Sequence, residues 1–186
     1  MERELASRDS AEYAEMVAEV FIETVRKSAG RLDNDAEVTP ALMECLQYIY
    51  LHGASPIRRI ADGLEISLSA ASQLVDRLVK KSMVTRGENE HDRRLTAVDL
   101  TEAGRKAVMQ MRRRKSEWFD TILEAMPHSQ RRAFREGLES FLKVALTGED
   151  NVDRACVRCG MEHVAFCVVN KVKSRRIASG REEFQL

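Results

Sequence analysis

Apolar residues recur at helical spacing through most of this chain. Tyr13, Val17, Val20, Phe21, Thr24 and Val25 keep the rhythm of one helix face. They predict a first helix over residues 10–29, stopped at Gly30. The polar stretch RLDNDAEV breaks the pattern, and Thr39-Pro40 supplies an N-cap and a proline at the first helical position. Leu42, Cys45, Leu46, Ile49 and Tyr50 then form the apolar face of a second helix, which HGASP ends. Ile57, Ile60, Ala61 and Leu64 mark a short third helix. A fourth opens at Ser69, with Ala71, Leu74, Val75, Leu78 and Val79 facing in and Ser69, Ser72, Gln73, Asp76, Arg77 and Lys80 facing out.

The period then changes. Met83–Arg86 and Leu95–Leu100 read as short strands, the second alternating Thr96, Val98 and Leu100 against Leu95, Ala97 and Asp99. Thr101-Glu102 caps a long helix whose apolar row is Val108, Met111, Phe119, Ile122 and Met126. Pro127 interrupts, and Phe134, Leu138, Phe141, Leu142 and Ala145 mark a sixth helix that closes near Gly148. A groove-reading helix followed by a β-hairpin is how a winged helix-turn-helix is written. The expected fold is therefore mainly α with a small β-wing, its winged-helix core at about residues 39–100. Long N- and C-terminal helices bracket that core within a domain of residues 1–148. Long amphipathic helices outside a compact core need an apolar partner. The simplest partner is the same helix of a second subunit, which gives a homodimer and a palindromic site on double-stranded DNA.

Charge changes the picture only locally. The 186 residues hold 30 basic and 30 acidic side chains, so no whole-molecule field draws in nucleic acid. The distribution is uneven. The stretch to Glu37 has ten acidic and five basic residues, whereas all six charged residues from Arg105 to Lys115 are basic. A second basic segment runs through Lys171, Lys173, Arg175, Arg176 and Arg181. On the fourth helix, Ser67, Ser69, Ser72 and Gln73 occupy the first turns, where a recognition helix approaches base edges. Arg77 and Lys80 come later, within reach of phosphates. The N-terminal MERELASRDS has no apolar signal region and no run approaches membrane-spanning length, so the expected location is the cytoplasm, with no membrane partner.

Two stretches carry a resemblance to a known family. Asp92-Arg93-Arg94, followed by Leu100-Thr101-Glu102-Ala103-Gly104, resembles the wing motif of the MarR family of bacterial transcription regulators, an Asp-x-Arg followed at fixed distance by Leu-Thr-x-x-Gly. LVDRLVKKSMVTR resembles the end of that family's recognition helix and its first wing strand. The likeness covers roughly residues 10–147 in element order. It implies an obligate dimer, usually a repressor, whose wings reach the minor groove. Arg94 would be the groove-entering arginine, Asp92 would brace the wing on a basic neighbour, and Arg93 would be a second contact. A narrow A·T-rich groove favours such an arginine electrostatically. The family's usual signal is a small aromatic or phenolic ligand held between the wing domain and the dimer helices. One departure is the acidity of this wing, with Glu88, Glu90 and Asp92 close together.

Blander readings compete at several positions. Arg112 to Lys115 suit a solvated helix face with intersubunit salt bridges better than a nucleic-acid patch. Arg58 and Arg59 stand equally as phosphate contacts or plain surface. Cys45, on an apolar face, reads as a buried small hydrophobe. His52 and His128 have no ligand-like neighbours.

After Asp153 the family pattern ends and the text becomes CVRCGMEHVAFCVVNK. Residues 149–186 read as a separate Cys/His knuckle with a basic tail. Cys156 and Cys159 form a C-x-x-C, and His163 and Cys167 are spaced to share one face of a helical turn. A Cys3His set in a reducing compartment suggests structural zinc, with an iron–sulfur cluster as the alternative. A thiol switch between Cys156 and Cys159, and unpaired thiols on an unfolded tail, are the remaining readings. Val164, Phe166, Val168 and Val169 favour a folded knuckle over the last. No H-E-x-x-H, deaminase pattern, phosphate loop or nucleophile elbow is present, so an enzyme is not expected. The expected function is a dimeric DNA-binding repressor released by a small ligand or by a metal or redox signal. The alternative is a protein-interaction module built on the knuckle.

Overall fold

The computed structural model describes residues 10–30, 38–88 and 96–146, with residues 152, 155, 159 and 167–172 of the C-terminal segment. Its organising element is α2 (Pro40–His52), which follows α1 (Ala11–Gly30). Thr39 caps α2, its side chain accepting from the Leu42 amide, and Pro40 sits in the first turn. Leu42, Met43, Cys45, Leu46, Tyr48 and Ile49 are all buried, so α2 is wrapped on more than one side. Truncating a fully buried residue such as Leu46 to alanine is expected to cost about 2–5 kcal/mol.

Helix α2 ends at Gly53, whose φ of 70° needs glycine. Next comes a strand that the hydrophobic pattern does not announce, β1 (Ser55–Pro56). It has two residues, one of them proline, and exists through pairing of Ser55 with Val98 and Pro56 with Ala97. α3 (Ile57–Leu64) and α4 (Leu68–Lys80) form the helix-turn-helix. β2 (Val84–Glu88) and β3 (Thr96–Leu100) form the wing sheet, and β3 lies between β1 and β2. That central place explains why Ala97 is buried along with Val98 and Leu100. α5 (Glu102–Ala125) and α6 (His128–Ala145) follow.

One core joins α2, α3, α4, the sheet and the start of α5. It includes Ile60, Val75, Leu78, Val84, Val98, Val108 and Met111 around the α2 residues. The inner face of α4 departs from expectation at Val79, which is 40 % exposed. Ala71, Val75 and Leu78 are buried and Leu74 packs half-buried against the core, whereas Val79 lies past the stripe's edge.

Both turns around α4 use the same device. Glu65 after α3 and Ser82 after α4 have φ of 56°. In each, two successive amides return to the last helical turn: Glu65 to Asp62 and Ile66 to Ala61, then Ser82 to Val79 and Met83 to Leu78. This pairing of bonds satisfies carbonyls that the helix end would leave open.

Candidate nucleic-acid interface

Ser67, not Ser69, caps α4. Its Oγ accepts from the Ala70 amide at 3.2 Å and lies 3.1 Å from Ser69 Oγ. The cap moves the helix start one residue before Ser69 and turns Leu68 outward. Ser69, Gln73, Asp76, Arg77 and Lys80 are exposed, and Ser72 is half-buried at the flank. The face expected to meet DNA is thus open, with Ser67 committed in part to its cap and Ser72 less prominent than the rest.

One contact escaped the sequence reading. Arg86, on β2, donates to Asp76 of α4 at 2.5 Å. It ties the wing strand to the recognition helix and compensates the one acidic side chain on the exposed face. Residues ten apart in different elements offer no periodic signal, so only the fold could pair them. The wing residues Asp92, Arg93 and Arg94 lie outside the described residues.

The Leu100-Thr101-x-x-Gly104 motif acquires a physical meaning. Thr101 donates its amide to the Met83 carbonyl at 3.0 Å and its hydroxyl to the Ser82 carbonyl at 2.7 Å. The same hydroxyl accepts from the Gly104 amide at 3.1 Å and caps α5. Gly104 is needed because a Cβ there would stand 2.0 Å from the Met83 carbonyl oxygen. The motif joins the base of the wing to the start of α5.

The family model that matches this chain is that of the MarR family, over residues 38–96. Over those residues the chain is similar to the MarR family. Among curated proteins it is similar to the HTH-type transcriptional repressor MdtR of Bacillus subtilis, 35% identical over 82 residues. That match covers 39% of this chain and 53% of the relative, so the chain spans about half the length of that protein. Solved structures share the fold. MepR, a transcription regulator of the Staphylococcus aureus multidrug efflux pump MepA, has a TM-score of 0.64 at 18% identity, covering 73% of this chain and 98% of that one. FabT of Streptococcus pneumoniae, solved in complex with DNA, has a TM-score of 0.59 at 17% identity, covering 72% and 95%.

Around this winged-helix core, other basic residues are engaged within the chain. Arg105 and Arg112 lie over the Tyr50 ring, at 5.9 and 5.2 Å from its centroid. Arg113 bonds Glu117 at 2.8 Å. Residues 105–115 are therefore neither a single patch nor a uniformly solvated face. Arg59 is exposed yet hydrogen-bonds Tyr48. Burial pushes the Tyr48 phenol up, and the Arg59 guanidinium opposes that shift. Tyr48 also lies against Gly63, where a Cβ would meet its ring, and stacks on His52 with centroids 4.4 Å apart. Cys45 is fully buried, as its apolar setting implies, and burial pushes its thiol up to about 12.

The long helices keep apolar residues uncovered. Phe21 meets Phe134 edge to face at 5.8 Å. Val20 on α1 and Phe141 and Val144 on α6 remain 62 %, 67 % and 76 % exposed. No helix among the described residues is long and apolar enough to cross a membrane.

In the C-terminal segment, Val152, Val169 and Val172 form a second small core, with Leu146, Cys167 and Val168 packed against it. Lys171 reaches Glu139 of α6 at 3.5 Å, and Glu139 also holds Lys143 at 3.3 Å. Cys159 is exposed and Cys167 half-buried. Cys156 and His163 lie outside the described residues, as do Val164 and Phe166. Among the described residues no three His, Cys, Asp or Glu side chains are grouped to hold a metal.

Proposed function

We propose that this chain is a homodimeric, sequence-specific DNA-binding regulator that represses transcription in the cytoplasm. The observation that carries the reading is the outer face of α4. Ser69, Gln73, Arg77 and Lys80 are open on one helix that the core, two tight turns and the Arg86–Asp76 pair hold rigidly. A rigid helix presenting amide and hydroxyl groups near its start and cations near its end suits base edges and phosphates respectively. The repressor MdtR and the FabT–DNA complex supply the same direction from related chains.

Dimerisation follows from the uncovered apolar rows of α1 and α6, which two-fold pairing would bury. Arg94 would enter the minor groove from the wing, with Asp92 and Arg93 beside it. Because the chain's net charge is zero, affinity would rest on these few cations and fall steeply with salt. Two kinds of signal fit: a small-molecule effector, and a zinc ion at Cys156, Cys159, His163 and Cys167. The thiolate and imidazole donors suit zinc, and an iron–sulfur cluster is the alternative. Packed valines beside Cys167 support a folded module there.

The test selects duplexes from a random pool with the full-length protein and measures affinity against salt, with sedimentation for assembly. Expected are a palindromic site, a dimer, and weaker binding by Arg94→Ala. Failure to enrich any sequence would sink the reading. For the metal, elemental analysis of anaerobically purified protein should find zinc, reduced in Cys159→Ser. Full metal content in that variant would remove the ligand set.

A further inference from the structure

We infer that Leu68 reads a thymine 5-methyl group in the major groove, which makes it a specificity-determining residue in the first turn of the helix described above. The inference rests on the proposed DNA-binding function and goes beyond it by naming the base. Leu68 is the first residue of α4 and 56 % exposed. It sits three and seven residues before Ala71 and Val75, in line with the buried stripe, but one turn beyond the point where the core ends. At this exposure a leucine gains little from the interior of its own chain. The Ser67 cap fixes the backbone of this turn through the Ala70 amide, so the isobutyl group projects from a rigid position.

An exposed leucine is ordinary on a protein surface; its chemical setting decides the matter. The first turn of α4 is Leu68-Ser69-Ala70, with no charged or amide side chain. Guanine is read by Arg or Lys, adenine by Asn or Gln, and cytosine by a carboxylate. None of those groups is present in the turn, and the hydroxyls Ser67 and Ser69 are already paired with each other. Asp76, the acceptor that could serve cytosine about two turns further on, is held by Arg86. The strongly discriminating base feature left to an apolar side chain is the methyl of thymine. Gln73, exposed five residues later, suits adenine. Leu68 and Gln73 together describe a half-site with a thymine and an adenine at separate, fixed positions.

The experiment uses the full-length protein and the duplex selected above. Each dT is replaced in turn by dU, which removes only the 5-methyl, symmetrically in both half-sites. For the wild type, one dT position should lose about four-fold affinity per half-site, the equivalent of uncovering one methyl at about 0.8 kcal/mol. For Leu68→Ala that position should show no dU penalty, while every other position behaves as in the wild type. Thermal unfolding of Leu68→Ala should match the wild type, since the side chain is exposed and alanine favours a helix. A dU penalty that persists in Leu68→Ala, or the absence of any dU-sensitive position, overturns the assignment. If no duplex is selected at all, the DNA-binding reading itself fails and Leu68 falls with it.

Discussion

Replacing Gly104 by alanine should destabilise the protein, although the position lies in a helix, where the same change ordinarily stabilises. The helical preference alone is worth about 1 kcal/mol in favour of alanine. Against it stands the Met83 carbonyl oxygen, 2.0 Å from where the new methyl would sit. Ordinary contact begins at 3.4 Å, so the carbonyl must retreat by about 1.4 Å (3.4 minus 2.0). The opposing atom is backbone, and it is tied at 3.0 Å to the Thr101 amide. Breaking that bond costs about 1 kcal/mol, and overpacking a close contact adds about 1–3 kcal/mol. The net is a loss of about 2 kcal/mol, or about 4–8 °C in melting temperature for a chain of this size. Thermal unfolding by circular dichroism at fixed protomer concentration measures it. Gly87→Ala, with no atom within 4 Å of the added methyl, is the control and should change little. A Gly104→Ala protein that melts at or above the wild-type temperature refutes the close approach of wing base and α5.

Three further predictions concern other contacts. Arg86→Ala should cost at most about 1 kcal/mol of stability, because both partners are partly solvated, but weaken DNA binding about ten-fold, on the order of 1.4 kcal/mol; unchanged affinity in a titration would remove the pair from positioning the helix. Cys45, with its thiol pushed up to about 12 by burial, should resist a thiol reagent at pH 8 until the protein unfolds, and a rapidly labelled thiol that disappears in Cys45→Ser would contradict this. The Lys143 hydrogen bond, aided by the charge of Lys171, holds the Glu139 carboxyl below its ordinary 4.5. A depressed folded value means the tether to Lys171 is complete above pH 4.5 and is lost as pH falls through that lower value. Amide exchange in residues 168–172, corrected for intrinsic rates, should show an acid-induced loss of protection that Glu139→Gln lacks, and a step of equal size in that variant would rule the tether out.

Sequence periodicity revealed the helices because burial on one face repeats every 3.6 residues, as α2 and α5 show at Leu42, Leu46, Ile49, Val108 and Met111. Caps were equally legible: Thr39 and Thr101 act through neighbours three residues away, so the signal is local. Most exposed residues of α4 followed from the same pattern, but the Ser67 cap shifted the start and brought Leu68 to the surface, Val79 came out exposed and Ser72 half-buried. What the chain text could not supply was pairing between distant segments. β1 has two residues and no period, and it exists because β3 offers it partners. Asp76 and Arg86 read as two unrelated surface charges until the wing folds against α4. Gly104 looked like one letter of a motif, and the approach of Met83 supplies its reason. Local energetics determined by the sequence chose the elements and their faces. Tertiary structure alone decided which strand closes the sheet, which charge is compensated and where a backbone leaves no room for a methyl, because each depends on groups brought together only after those elements have packed.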